Sequence, residues 1–254
     1  MEAIIVNNLI LGDNVPKICV PIVSTTKYEI LKDVERANKT DHDLIELRID
    51  HFENSFDINS IINLLKEIRE IYFKSIIFTF RTKKEGGLKD IDEESYFDLN
   101  SQIAKSKLVD FIDIEFFNSE EKILKFIEEA HLNNIHVILS SHEYSITLDK
   151  EDLLNRIKKM QLLGADITKL AVMPITDTDV LDILSISLDM KSIYANKPFI
   201  VLAMGSLGTI TRVAAELFGS CITYASLSNN VSAPGQLSVE NTRLILNNLK
   251  LNME

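Results

Sequence analysis

Eight short apolar segments, with amphipathic stretches between them, constrain this chain more than any other feature. They are KICVPI (17–22), LIELRID (44–50), SIIFTFR (75–81), FIDIEFF (111–117), HVILSSH (136–142), ITKLAVMP (167–174), PFIVLAMG (198–205) and CITYASL (221–227). Runs of this length, rich in β-branched and aromatic residues and bounded by polar turns, read as strands. Intervening stretches such as INSIINLLKEIREI, SEEKILKFIEEAH and KEDLLNRIKKMQLLG carry apolar residues at helical spacing. The last has acids in its first turn and Gly164 at its end. Eight βα units predict an α/β fold, a single (β/α)8 TIM barrel. A doubly wound open sheet is the rival, but it usually has fewer strands and leaves two edges to protect. Residues 3–13, AIIVNNLILGD, read as a short N-terminal β-hairpin. No Pro/Gly-rich linker divides the chain, so residues 1–254 are expected to form one domain, with the hairpin in 1–16 and the barrel in 17–254.

Composition narrows the function classes. A chain of 254 residues suits one barrel. The net charge of −11, without a dominant basic patch, argues against nucleic-acid binding, so an anionic substrate would need its own arginines. Cys19 and Cys221 form no C-x-x-C pair and read as buried thiols. The first residues show no basic segment followed by an apolar stretch and a cleavage site, and no run of about 18 apolar residues occurs. The expectation is a cytoplasmic protein with no membrane partner.

Side chains alternate across a strand, so parity sorts each segment into two faces. Glu46, Arg48 and Asp50 oppose Ile45, Leu47 and Ile49. Ser75, Thr79 and Arg81 oppose Ile76, Phe78 and Phe80, and Asp113 and Glu115 oppose Ile112, Ile114 and Phe116. Ser140 and His142 oppose Val137, Leu139 and Ser141. In a barrel the outer face packs on helices and must be apolar, so the polar set faces inward and its last members reach the C-terminal mouth. Lys169 falls on the inner face with Ala171 and Met173. A buried lysine is either paired with an interior carboxylate or shifted toward its neutral form, where it is a nucleophile. A converging set of unlike charges is either an internal salt-bridge network or an active site. Since a buried network is weak evidence for stability, the active site is the favoured reading.

The remaining histidines, His42, His51, His131 and His136, read as structural. His136 lies roughly 20 Å down the strand from His142, at about 3.3 Å per residue, so the two cannot share a metal. No other cluster has metal-ligand spacing, and no metal or other cofactor is expected.

Taken together, ELRID, FTFRTKKEGG, LVDFIDIEFF, SSHEY, MQLLGADITKLAVMP, MGSLGTITRVAAELFGS and SAPGQLS resemble type I 3-dehydroquinate dehydratase, in order and spacing over nearly the whole chain. The resemblance implies a barrel, no metal or organic cofactor, and a homodimer. It also implies dehydration of 3-dehydroquinate to 3-dehydroshikimate, the third step of the shikimate route to chorismate and the aromatic amino acids. By the same resemblance Lys169 is the Schiff-base lysine, His142 the general acid/base and Glu85 the acid that supports it. Glu46, Arg48 and Arg81 hold the substrate's hydroxyls and carboxylate region. Arg212, Ser232 and Gln236 bind the carboxylate end and close the site. The departures are Leu47 where the family often has Trp, Pro21 where some members have Ser, Ala203 and Thr211 where Ser is usual, and Glu143 and Tyr144 for Asp and Phe.

These residue types suit that chemistry. A lysine condensed with a ketone makes an iminium, an electron sink for an otherwise weakly acidic neighbouring proton, and burial beside cations is expected to neutralise the amine. A histidine titrating near neutrality serves the proton transfers. Arg212 ends the glycine-containing stretch GSLGTITR, after the seventh strand, where barrels often bind anions, and a guanidinium can grip a carboxylate through two bonds. GSLG itself reads as a plain βα turn, and SNNVSAPGQ (228–236) as a candidate lid. Asp113 and Glu115 either tune the lysine or pair with Arg48 or another cation. The rivals are a class I aldolase, also a barrel with a lysine on its sixth strand, and a barrel that has lost activity and serves as a binding partner.

Overall fold

Strand parity resolves into two concentric apolar layers. The computed structural model describes residues 1–144, 149–227 and 235–250. Its barrel strands are β3 (Lys17–Ile22), β4 (Leu44–Arg48), β5 (Ser75–Thr79), β6 (Phe111–Glu115), β7 (His136–Glu143), β8 (Ile167–Val172), β9 (Phe199–Ala203) and β10 (Ile222–Tyr224). All neighbours pair in parallel and in chain order, and β10 returns to β3. Bonds from Cys221 N–H to the Phe199 carbonyl, 2.8 Å, and from Val201 N–H to Ser220 Oγ, 3.3 Å, join the start of the last strand to β9 and close the ring. A TIM barrel with an N-terminal hairpin is therefore the fold.

Outward residues Ile45, Leu47, Ile76, Phe78, Ile112, Ile114, Val137 and Leu139 pack with the helices in one core. Inward residues Cys19, Leu44, Ile77, Phe111, Ile138, Ile167, Ile200 and Ile222 form a second. The helices are α1 (Lys27–Ala37), α2 (Ile58–Ile71), α3 (Glu93–Ser106), α4 (Glu120–Leu132), α5 (Lys150–Leu162), α6 (Asp177–Asp189), α7 (Thr209–Val213), α8 (Ala215–Phe218) and α9 (Val239–Leu249). In α2 the i, i+3, i+4, i+7 set Ile61, Leu64, Leu65 and Ile68 is fully buried. Each such side chain contributes about 1.5–3 kcal/mol of transfer free energy. Side chains close the orphan N–H groups at helix starts: Thr26 and Thr176 form capping boxes, and Asp57, Asp92, Asp149 and Ser238 also cap.

The hairpin β1 (Ile4–Val6) and β2 (Leu9–Leu11) turns through Asn7 and Asn8 at φ 48° and 66°, the left-handed pair that a two-residue hairpin turn requires. Leu9 and Leu11 join the inward cluster, so the hairpin plugs the N-terminal end of the barrel and leaves the other end as the mouth.

Most strands stop earlier than their apolar runs do. Ile49 and Phe80 lie beyond the β4 and β5 ladders yet stay fully buried, because the βα loops also carry core side chains. The last strand shrinks to three residues because Ser226 leaves β3 and bridges Ser238 instead. The seventh helical stretch is broken at Ala214 into α7 and α8. Among the described residues no helix is long and apolar enough to cross a membrane.

Candidate active site

The inward polar residues at the strand ends surround one cavity with about 440 Å³ of empty space, part of it open to solvent. Its wall includes Glu46 and Arg48 from β4, Arg81 after β5, His142 from β7, and Lys169 and Ala171 from β8. Tyr224 from β10, Arg212 from α7, Tyr144, Leu202, Met204 and Gln236 complete it.

Lys169 is 4% exposed, and its Nζ lies 3.1 Å from Asp113 Oδ2, 3.2 Å from Glu46 Oε1 and 4.7 Å from the Tyr224 ring centroid. This corrects the expectation that burial frees the amine. Burial does pull its pKa down, but Asp113 and then Glu46 outweigh burial and the repulsion of Arg81, so the pKa is raised above the ordinary lysine value. The ligand-free barrel stores Lys169 as an ammonium ion. Burial also opposes ionisation of Asp113, but Arg81 and Lys169 hold its pKa well below the carboxylate range.

Arg81 is the hub of the interior charges. Its guanidinium donates to Asp113 Oδ1 at 2.8 Å, Glu115 Oε1 at 3.0 Å and Ser140 Oγ at 3.1 Å, and it lies 3.5 Å from Glu85 Oε2. Glu115 in turn accepts from Thr82 N–H at 2.8 Å and Thr82 Oγ1 at 2.7 Å. An internal salt-bridge network and an open cavity therefore coexist, the network forming the cavity floor. Arg48, by contrast, makes a bidentate pair with buried Asp50, at 2.8 and 2.9 Å. That pair keeps the guanidinium at the cavity wall and excludes Arg48 as the partner of Asp113 and Glu115.

Glu85 reaches His142 because of its turn. Lys83–Glu85 form one 3-10 turn, and Gly86 ends it at φ 85°, a left-handed conformation natural to glycine. A Cβ on Gly87 would stand 1.9 Å from the Arg81 carbonyl oxygen. The Gly-Gly pair thus lets the turn fold back so that Glu85 Oε2 meets His142 Nδ1 at 2.9 Å and accepts the His142 main-chain N–H at 3.0 Å. Burial, then Arg81 and Lys169, push the His142 pKa well below its ordinary value, so the imidazole is neutral. Burial, helped by Glu115 and Asp113, raises the Glu85 carboxyl against the pull of Arg81. With Nδ1 taken by Glu85, Nε2 is the ring nitrogen left for the cavity.

On the far wall burial lowers the Arg212 pKa to about 10. Thr223 Oγ1 donates to the Arg212 carbonyl at 2.8 Å, tying α7 to β10. Thr211 accepts from Ala203 N–H at 2.9 Å and donates to the Gly208 carbonyl at 2.7 Å, so this residue builds the loop that carries Arg212. Leu47 is outward packing, as parity requires, and Pro21 lies within β3 opposite Glu46. Ser232 and most of 228–236 lie outside the described residues, while Gln236 is at the cavity wall.

The fold thus gathers Lys169, His142, Glu46, Arg48, Arg81, Arg212 and Gln236 around one cavity, with Glu85 directly behind His142. Sequence reasoning left Asp113 and Glu115 undecided and passed over Tyr224. Their inward parity was the available signal; their partners were not readable from it. His42 is a core residue, its Nε2 2.9 Å from Tyr72 Oη. His131 bonds Asp166 at the opposite end of the barrel, at 2.8 Å. Cys19 and Cys221 are buried free thiols. Among the described residues no group of His, Cys, Asp and Glu could hold a metal ion.

Fold and mouth together define a (β/α)8-barrel enzyme whose cavity opens at the C-terminal ends of the strands. Residues 18–253 match the family model described as type I 3-dehydroquinase. A 3-dehydroquinate dehydratase of Clostridium novyi (strain NT) is 44% identical over 248 residues, covering 97% of this chain and 98% of the relative. The crystal structure of a type I 3-dehydroquinate dehydratase from Clostridium difficile, with covalent modified comenic acid, superposes with a TM-score of 0.94 at 39% identity, covering 98% of each chain. The 3-dehydroquinate dehydratase structure from Geobacillus kaustophilus HTA426 superposes at 0.95 with 33% identity, covering 100% of this chain and 98% of that one. This chain belongs to the type I 3-dehydroquinase family, and it is a hydro-lyase. The family match sets the aldolase reading aside.

Proposed function

We propose that this chain dehydrates 3-dehydroquinate to 3-dehydroshikimate through an imine on Lys169, without a cofactor, as the third step of the shikimate route to chorismate and the aromatic amino acids. The observation that carries the reading is that Lys169 and His142 face one cavity, with His142 held at Nδ1 by Glu85.

The proton inventory follows from the charge states. Lys169 starts as an ammonium and His142 as a neutral base. His142 takes a proton from Lys169, the amine attacks the C3 carbonyl, and the imidazolium returns its proton to the departing water, leaving an iminium. Neutral His142 then removes a proton from C2, and the electron pair moves into an enamine. The enamine expels the C1 hydroxyl, which leaves as water with the proton from His142. Hydrolysis of the conjugated iminium releases product and restores the ammonium. Imine formation releases one water and hydrolysis consumes one, so the net loss is the C1 hydroxyl and a C2 hydrogen. Glu85 orients the imidazole and stabilises its cation. Glu46, Arg48 and Arg81 meet the hydroxyl-bearing side, while Arg212 takes the carboxylate, with Ser232 and Gln236 closing over it. The covalent modification described for the Clostridium difficile relative is in keeping with covalent chemistry in this fold.

Borohydride trapping with 3-dehydroquinate, followed by peptide mass spectrometry, tests the imine. The expected result is a reduced adduct on Lys169 in the wild type and none in Lys169→Ala, which loses turnover while keeping its fold. Turnover without an adduct, or substantial turnover in Lys169→Ala, would end the Schiff-base reading. The same proposal takes residues 1–254 as one domain acting in the cytoplasm as a homodimer, and light scattering of the purified protein checks the dimer.

A further inference from the structure

Tyr224 ends β10 on the inward face, where it pairs in register with Cys19 and joins the apolar cluster of the barrel interior. The residue is 5% exposed and forms part of the cavity wall beside Lys169. Its ring lies under the ammonium, 4.7 Å from Nζ to the ring centroid. The bond from Thr223 to the Arg212 carbonyl fixes the neighbouring backbone against α7. The tyrosine therefore stands at the cavity wall beside both the lysine and the segment that carries Arg212. Among the described residues its hydroxyl is buried without a hydrogen-bond partner.

A buried hydroxyl left unpaired is a standing cost to the ligand-free fold, and phenylalanine would fill the same apolar surroundings without that cost. A buried donor on a residue that lines a ligand cavity has a natural partner in the ligand. Burial, with Glu46 and Cys19 adding to it, raises the phenol's pKa well above its ordinary value, so the hydroxyl keeps its proton and acts as a donor, not as an acid that transfers it. With the keto carbon on Lys169 and the carboxylate toward Arg212, the ring carbon between this lysine and this arginine is the one that carries both the carboxylate and the leaving hydroxyl.

We propose that Tyr224 is a substrate-contacting residue whose hydroxyl donates a hydrogen bond to an oxygen on the carboxylate-bearing carbon of the bound hydroxy acid. This inference rests on the function proposed above and adds a contact to it. It implies a site in which the substrate completes a hydrogen bond that the protein alone leaves open.

Tyr224→Phe tests it through steady-state kinetics, thermal unfolding and product binding. The ligand-free variant should melt at the wild-type temperature or above it, since it loses only an unsatisfied group. Its kcat/KM for 3-dehydroquinate should fall roughly 5- to 30-fold, the scale of one hydrogen bond to a polar or charged acceptor. Affinity for 3-dehydroshikimate, which keeps the carboxylate and has lost the hydroxyl, identifies the acceptor. Weakened product binding with a raised KM assigns the bond to the carboxylate; unchanged product binding with a lowered kcat assigns it to the leaving hydroxyl. Kinetics and product binding within twofold of wild type would overturn the proposal. So would a ligand-free melting temperature several degrees lower, which would mean that the hydroxyl already has a partner in the fold. The wild-type control separates the two proposals: an inactive wild type defeats the proposed function, whereas an active wild type with an unaffected variant defeats only the role of Tyr224.

Discussion

One carboxylate oxygen, Glu85 Oε2, meets His142 twice, at Nδ1 (2.9 Å) and at the main-chain N–H (3.0 Å). The double contact fixes both the ring and the strand end from which it projects, so the imidazole has little freedom about either its backbone or its own plane. It also assigns the two ring nitrogens different tasks, Nδ1 toward Glu85 and Nε2 toward the cavity.

That arrangement makes His142→Ala a clean test of the proton inventory. General acid–base groups typically contribute about 10²–10⁴-fold, and kcat should fall on that scale while the circular dichroism spectrum stays unchanged. A loss below about threefold would mean that another group moves the protons.

The turn that delivers Glu85 can be tested without touching a titrating group. In Gly87→Ala the new Cβ would meet the Arg81 carbonyl oxygen at 1.9 Å, so the backbone there must shift, and the expected result is that Glu85 is displaced from His142. Turnover should drop by at least an order of magnitude, with a shifted pH–rate profile. A fully active variant would show that the turn accommodates the methyl group and that Glu85 placement does not depend on it.

The ammonium state of Lys169 depends on Asp113, 3.1 Å away. Asp113→Asn removes that opposing charge, so the amine pKa should fall and Lys169 should react faster with a small carbonyl reagent plus cyanoborohydride at pH 7. The comparison of labelling rates from pH 6 to 10 reads the shift directly. A profile identical to wild type would remove Asp113 as the source of the raised pKa.

Acid stability should reflect His42, whose pKa burial, and then Lys74, lower to about 4. The unfolded chain takes up this proton near the ordinary histidine value of about 6.5, whereas the folded one resists it until about pH 4. Stability is therefore present above pH 6.5 and lost as pH falls toward 4. Between pH 7 and 5 the loss from this one group is about 2 kcal/mol. Urea unfolding at the two pH values should show His42→Gln with a shallower pH dependence by about that amount; equal slopes would mean that His42 titrates alike in both states.

Much of the site was legible before any coordinates. Alternation along four strands put Glu46, Arg48, Asp113, Glu115, His142 and Lys169 on the inner face, because the outer face of a parallel barrel must be apolar to receive helices. The role of Glu85 came from the likeness of KKEGG to a known family, since a residue in a loop has no parity. Partners were a different matter. Arg48 turned to Asp50, two residues on, while Arg81 took Asp113 and Glu115. Three carboxylates and two arginines converging on one mouth admit several pairings, and only side-chain reach across the barrel selects among them.

By itself the sequence determined the eightfold βα order, the inner and outer faces of each strand and the family to which the chain belongs, because periodicity and motif spacing are local properties. The charge on Lys169 was decided by the tertiary structure alone. Its two carboxylate partners lie 56 and 123 residues away along the chain, and their attraction outweighs the desolvation that burial imposes. A buried lysine in an apolar strand reads as a neutral amine until the ring closes, and closure brings Asp113 and Glu46 within hydrogen-bonding distance of the same nitrogen.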